Sequence, residues 1–182
     1  MGAILCGPAR VFSVRPGTLS NLRTIGAVHL DMAKFTTSTI IHAPKEDVWA
    51  ALADIGSIHV WNPGVKSSHT TTDEDSGLGA SRHCDLGGRN YLEEEVVEYD
   101  QGERLTMRVT ESTLPFANAD IRFLLEPEET STRVVVQPEY ELKFGPVGAL
   151  MDRLFVRRSY EKGMQALLHG LKRHVESEVQ AA

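Results

Sequence analysis

The chain is poor in cysteine, in aromatic residues and in positive charge, and each shortage removes a class of function. Its two cysteines, Cys6 and Cys84, are too few and too far apart for a disulfide framework or a cysteine metal site. Cys84 falls in a strand-like alternation and reads as a small core hydrophobe. Lys and Arg number 19 against 25 Asp and Glu, a formal net charge of -6. A nucleic-acid surface needs clustered Lys and Arg instead, so no nucleic-acid partner is expected. No apolar run approaches the ~20 residues of a membrane-spanning helix. There is no GxSxG nucleophile elbow, and no glycine-rich phosphate loop comes after a strand. The histidines show no zinc-ligand spacing, so neither a metal nor a cofactor is expected. What remains is a chain of ordinary globular composition, long enough for one well-packed domain. A reducing cytoplasm is the compartment expected from these features.

The first 31 residues differ from the rest of the chain. "MGAILCGPARVFSVRPGTLSNLRTIGAVHLD" has scattered apolar residues, Gly/Pro breaks at Gly7-Pro8 and Pro16-Gly17, and no sustained period. Its apolar stretches are short for a signal peptide. Residues 1–31 are expected to form a poorly ordered extension, and residues 32–182 a single domain.

From Lys34 the pattern becomes regular. "FTTSTIIHA" alternates and is β-rich, which predicts a first strand. Pro44 suits the first position of a helix, and Glu46 and Asp47 complement its dipole. Val48, Leu52 and Ile55 recur at helical spacing, beside Trp49. Gly56 is expected to stop this helix, and Ile58, Val60 and Trp61 to form a second short turn before Pro63. The chain's two tryptophans, Trp49 and Trp61, therefore share one helical hairpin. Their bulk fits a structural plug better than cofactor stacking. Six strand-like segments come next, at 65–72, 78–86, 90–99, 103–112, 117–126 and 132–144, divided by "DEDSGLG", "LGGRN", "YDQGER" and "EPEETS". The remainder reads as helix, its apolar stripe passing through Val147, Leu150, Met151, Leu154, Met164, Leu167, Leu168, Leu171 and Val175. The predicted fold class is α+β: a seven-stranded curved antiparallel sheet around a long C-terminal helix, with two short helices after strand 1.

"TTSTIIHAPKEDVWAALADIGSIHVWNPGVKSS", "GLGASRHCDL", "YLEEEVVEYDQGERL" and "LLHGLKRHVE" resemble the SRPBCC superfamily. This is the helix-grip fold of START domains, polyketide cyclases and Bet v 1 allergens. The likeness covers about residues 34 to 178 and is greatest to the bacterial polyketide cyclase/dehydrase-like branch. It is similar also to plant abscisic-acid receptors, and by that resemblance Gly87, Gly88, Leu114, Pro115 and Phe116 rim a pocket entrance. Two departures count against a hormone receptor. The turn lacks the receptor's Ser-Gly-Leu-Pro type sequence, and the position near Asn62 lacks the lysine that would hold a hormone carboxylate.

Alternation selects the residues that face the cavity implied by this fold. They are Ala80, Arg82, Cys84 and Leu86, then Leu105, Met107 and Val109, then Ile121, Phe123 and Leu125, and finally Val134, Val136, Tyr140 and Leu142. Strand 90–99 is ambiguous by alternation. Its family-like run "EEVVEYD" favours Leu92, Glu94, Val96 and Glu98 as the inward set. Arg82 and Glu94 then share a face on adjoining strands and pair, since either charge alone in an apolar interior is costly. The candidate ligand-binding residues are Arg82, Glu94, Met107, Val109, Phe116, Phe123, Val136, Tyr140, Met164 and Leu168. Gly163 and Gly170 fit a helix curving past a cavity, or are simply two tolerated glycines. The expected function is binding of a small hydrophobic or amphipathic, lipid- or polyketide-like ligand, by a monomer or homodimer. One alternative is a cyclase, aromatase or dehydratase acting on a carbonyl substrate. Another is a protein-assembly helper.

Overall fold

The computed structural model describes residues 32–143 and 155–181. The extension expected over 1–31 and the start of the apolar stripe, 147–154, lie outside the described residues. Two strands open the fold, β1 (Ala33–Lys34) and β2 (Thr37–Ile41), followed by α1 (Lys45–Ala53), a 3-10 turn (Ile55–Ser57) and α2 (Ile58–Trp61). Then come β3 (Ser67–Thr70), β4 (Ser81–Gly87), β5 (Asn90–Asp100), β6 (Arg104–Ser112), β7 (Phe116–Pro127) and β8 (Thr132–Leu142), and finally α3 (Arg157–Ala181). The strands form one antiparallel sheet in the order β1-β8-β7-β6-β5-β4-β3, with β2 also on β8. β1 and β2 are two halves of the predicted first strand, laid end to end along β8. The sheet curves around α3 in the expected α+β helix-grip arrangement.

Period-two alternation puts the apolar face of this sheet inward. On β8, Val134, Val136, Tyr140 and Leu142 are buried while Arg133, Gln137 and Glu139 face out. Leu105 and Met107 on β6, with Ile121, Phe123 and Leu125 on β7, join them. α3 answers with Met164, Leu167, Leu168, Leu171 and Val175, all buried at helical spacing.

One assignment on β5 needs correction. Val96 is opposite Met107, but Glu98 is opposite Thr106, so two steps along β5 meet one along β6. This bulge at Val97 reverses the alternation beyond it. Glu98 therefore lies on the outer face, where it accepts from Thr106 Oγ1 at 2.7 Å and pairs with Arg104 and Arg122. Tyr99 turns inward in its place, its ring centroid 5.2 Å from that of Trp49.

The short helices close the far end of the sheet. α1 stops at Ala53, sooner than Gly56 would dictate, and the carbonyls just beyond it are engaged from the sheet. Ile55 O accepts from Arg82 Nη1 at 3.2 Å, and Gly56 O from Ser68 Oγ at 2.6 Å. Trp49 and Trp61 are buried here with Val48, Leu52, Ile55 and Ile58.

Candidate functional site

A row of inward residues crosses the middle of the sheet. Arg82 on β4 is opposite Glu94 on β5, and Glu94 is opposite Val109 on β6. Ala119 on β7 is opposite Tyr140 on β8. The pairing expected from alternation is formed. Arg82 donates to Glu94 Oε2 from Nε at 2.9 Å and from Nη2 at 2.8 Å. Cys84 Sγ donates to the same oxygen at 3.6 Å. Arg82 is 4% exposed and Glu94 3%, so this pair belongs to the interior. Burial alone would lower the Arg82 pKa. The charge and hydrogen bond of Glu94, with Cys84 adding to them, together outweigh that effect and hold it above its ordinary value. Burial pushes the Cys84 thiol up to about 12, which leaves it an inert donor.

Beside this pair stands a cluster of rings. The Tyr140 and Tyr160 centroids are 5.0 Å apart and nearly perpendicular. Phe116 lies 5.8 Å from Tyr140 and 5.4 Å from Tyr160. Phe35 meets the edge of Tyr160 at 5.7 Å. All but the tilted Phe116–Tyr160 pair are edge-to-face, at separations that aromatic quadrupoles favour. Ala119, Tyr140 and Leu142 form the buried centre of this second cluster, with Val109, Phe116, Val156 and Tyr160 half-buried against it. A bulge at Ala117, between the pairs Phe116/Leu142 and Asn118/Glu141, turns Phe116 inward. Burial raises the Tyr160 pKa, and the nearby Glu94 charge raises it further. The Tyr160 phenol therefore stays protonated and is a hydrogen-bond donor.

The predicted site residues fall into two groups. Arg82, Glu94, Val109, Phe116 and Tyr140 come together at the polar pair and ring cluster. Met107, Phe123, Val136, Met164 and Leu168 lie in the main core, packed with the buried face of the plug. Tyr160 escaped the sequence reading because it sits in the polar stretch "FVRRSYEKG". The available signal was its place one helical turn before Met164, on the buried stripe. The turns at 87–90 and 113–115 lie at the same end of the sheet as the rings, since Leu92 pairs with Ser112 and Phe116 with Leu142. Gly87 and Gly88, at φ 92° and 67°, supply the left-handed backbone of the first turn. Asn62 is engaged in the chain's own turn, its Oδ1 accepting from Gly64 N at 3.0 Å. Among the described residues no group of three or more His, Cys, Asp and Glu side chains is placed to hold a metal ion. None of the described helices is long and apolar enough to cross a membrane.

Residues 32–176 match a family model described as polyketide cyclase / dehydrase and lipid transport. No curated protein matches the chain. Among solved structures, a Thermus thermophilus protein is similar at 24% identity and TM-score 0.67, over 80% of this chain and 99% of that one. The Zhui aromatase/cyclase of a Streptomyces species is similar at 16% identity and TM-score 0.68, over 81% and 96%. A START superfamily protein of Mycobacterium smegmatis is similar at 17% identity and TM-score 0.66, over 79% and 97%. At such identities these likenesses establish the fold alone.

Proposed function

The chain belongs to the polyketide cyclase/dehydrase and lipid transport family, and from that premise we propose that it binds a small apolar or amphipathic molecule between sheet and α3. The binding end is the one lined by Val109, Phe116, Tyr140 and Tyr160, with Arg82 and Glu94 as its polar wall. One observation carries this reading: an ion pair is kept inside the apolar interior, directly beside a ring cluster. Buried pairs contribute little to stability relative to apolar residues of the same volume. A pair placed there fits a role in orienting a ligand's polar atom.

Catalysis on a carbonyl substrate is the second reading, favoured by the nearness of the Tyr160 hydroxyl to Glu94. General acid–base work at neutral pH calls for a group that titrates near it. The raised values of Tyr160 and Cys84 move both groups away from neutrality. Carriage is therefore the stronger reading.

Titration with the neutral fluorophore N-phenyl-naphthylamine tests it. Saturable enhancement of emission is expected, and Val109→Trp, at the half-buried wall, abolishes it while the far-ultraviolet circular dichroism is unchanged. No enhancement with the wild-type protein, or enhancement indifferent to Val109→Trp, overturns this reading.

A further inference from the structure

Arg82 is the only buried Lys or Arg among the described residues, and each of its three guanidinium nitrogens is engaged. Nε and Nη2 are held by Glu94 Oε2, and Nη1 by the Ile55 carbonyl. Glu94 is used asymmetrically. Oε2 accepts from Arg82 and from Cys84, whereas Oε1 accepts from no described residue. The Tyr160 hydroxyl likewise has no hydrogen-bond partner among the described residues. Yet the only side-chain nitrogen or oxygen there that is both sealed and unpartnered is Trp61 Nε1. Glu94 Oε1 and Tyr160 Oη are thus two groups whose hydrogen-bonding capacity the described residues leave unused. One is an acceptor and the other a donor, and both border the Val109 and Phe116 wall.

We propose that this site is specific for a neutral, hydroxylated apolar ligand, whose hydroxyl hydrogen bonds to Glu94 Oε1 while Tyr160 Oη donates to an oxygen of the same molecule, and that it rejects carboxylates. The inference rests on the ligand-binding reading above and names its ligand class. The Arg82–Glu94 pair is neutral as a unit, so a ligand charge of either sign finds no counter-ion in it. A carboxylate reaching Arg82 would have to displace Glu94 and leave that carboxylate buried and unpaired, which is the costly half of breaking such a pair. It would also lie against the negative Oε1. A hydroxyl meets neither obstacle and gains a charge-assisted hydrogen bond. Arg82 is thus the holder of Glu94, and Glu94 and Tyr160 are the groups that touch the ligand.

Competition for the bound fluorophore by naphthalene, naphthol and naphthoate, which share one ring skeleton, decides the matter for the full chain at neutral pH. Naphthol is expected to displace the fluorophore at a concentration about tenfold below that of either other compound, as a hydrogen bond to a charged group implies. Tyr160→Phe keeps the ring packing and brings naphthol close to naphthalene, with far-ultraviolet circular dichroism as the check on folding. If that variant does not fold, the order among the three compounds on the wild-type protein still decides. Naphthoate equal to or tighter than naphthol, or a Tyr160→Phe protein with unchanged naphthol affinity, overturns the specificity and leaves ligand binding standing. Failure of the fluorophore itself to bind overturns both.

Discussion

Gly170 of α3 lies against the backbone carbonyl of Trp61: a Cβ at Gly170 would stand 1.9 Å from Trp61 O and 3.1 Å from Pro63 Cδ. The end of α2 is therefore seated on the bare backbone of the long helix. The two helix glycines consequently have different meanings, since a Cβ at Gly163 would meet nothing within 4 Å. Gly170→Ala forces backbone apart and is expected to destabilise by at least the ~1–3 kcal/mol typical of overpacking. Gly163→Ala, at an exposed helical position, is expected to stabilise by about 1 kcal/mol from propensity alone. Urea denaturation midpoints should move in opposite directions for the two variants. Equal shifts would remove the close approach as the reason for Gly170.

Trp49 fills the plug from the other helix. It is 7% exposed and meets Tyr99, which the bulge on β5 turned inward. Trp49→Ala removes this bulk from a closed core and is expected to cost ~3–5 kcal/mol. A denaturation midpoint within error of wild type would make α1 a peripheral element.

Periodicity in the sequence reveals most of this fold, because a sheet with one buried face writes its register as alternating side chains. Val134, Val136 and Tyr140, or Leu105 and Met107, are placed by that rule alone. Glu98 and Phe116 are not. Each lies beside a bulge, where one extra residue reverses the face, and the need for that residue arises from the neighbouring strand. The Arg82–Glu94 pair is legible because two charges on the inward face of adjoining strands have few other solutions. What alternation leaves hidden is the use of each carboxylate oxygen, and Tyr160, whose polar neighbours Arg157, Arg158 and Glu161 mask its inner face. Gly170 is hidden for a similar reason: the carbonyl it accommodates belongs to a segment more than a hundred residues away in sequence.

Glu98 sets a contribution to acid stability. The Thr106 hydroxyl holds its carboxyl below the ordinary 4.5, partial burial opposes this, and Arg104 and Arg122 add to the lowering. A carboxyl lowered in the folded state stabilises the protein above its unfolded value. That stabilisation is lost as pH falls from 4.5 through the lower folded value. Glu98→Gln should therefore weaken the wild-type loss of stability on acidification through that window, where urea midpoints at successive pH values read it directly. Parallel curves for the two proteins would show that the cluster on the outer face does not couple to folding.

The interior pair separates its stabilising role from its binding role through a double-mutant cycle. Arg82→Met leaves Glu94 without its guanidinium, and Glu94→Leu leaves Arg82 with the Ile55 carbonyl alone. Each single change is expected to cost about 3–5 kcal/mol, because an uncompensated charge remains inside. The double variant, apolar at both positions, is expected to be close to the wild-type protein in stability, within about 1–2 kcal/mol. It should nevertheless lose the preference for naphthol over naphthalene, since the acceptor at Glu94 is gone while the apolar wall of Val109 and Phe116 remains. Calorimetric melting gives the first result and fluorophore competition the second. A double variant as unstable as the singles would make the pair a structural requirement of the fold. A stable double variant with its naphthol preference intact would remove Glu94 from the ligand's contacts.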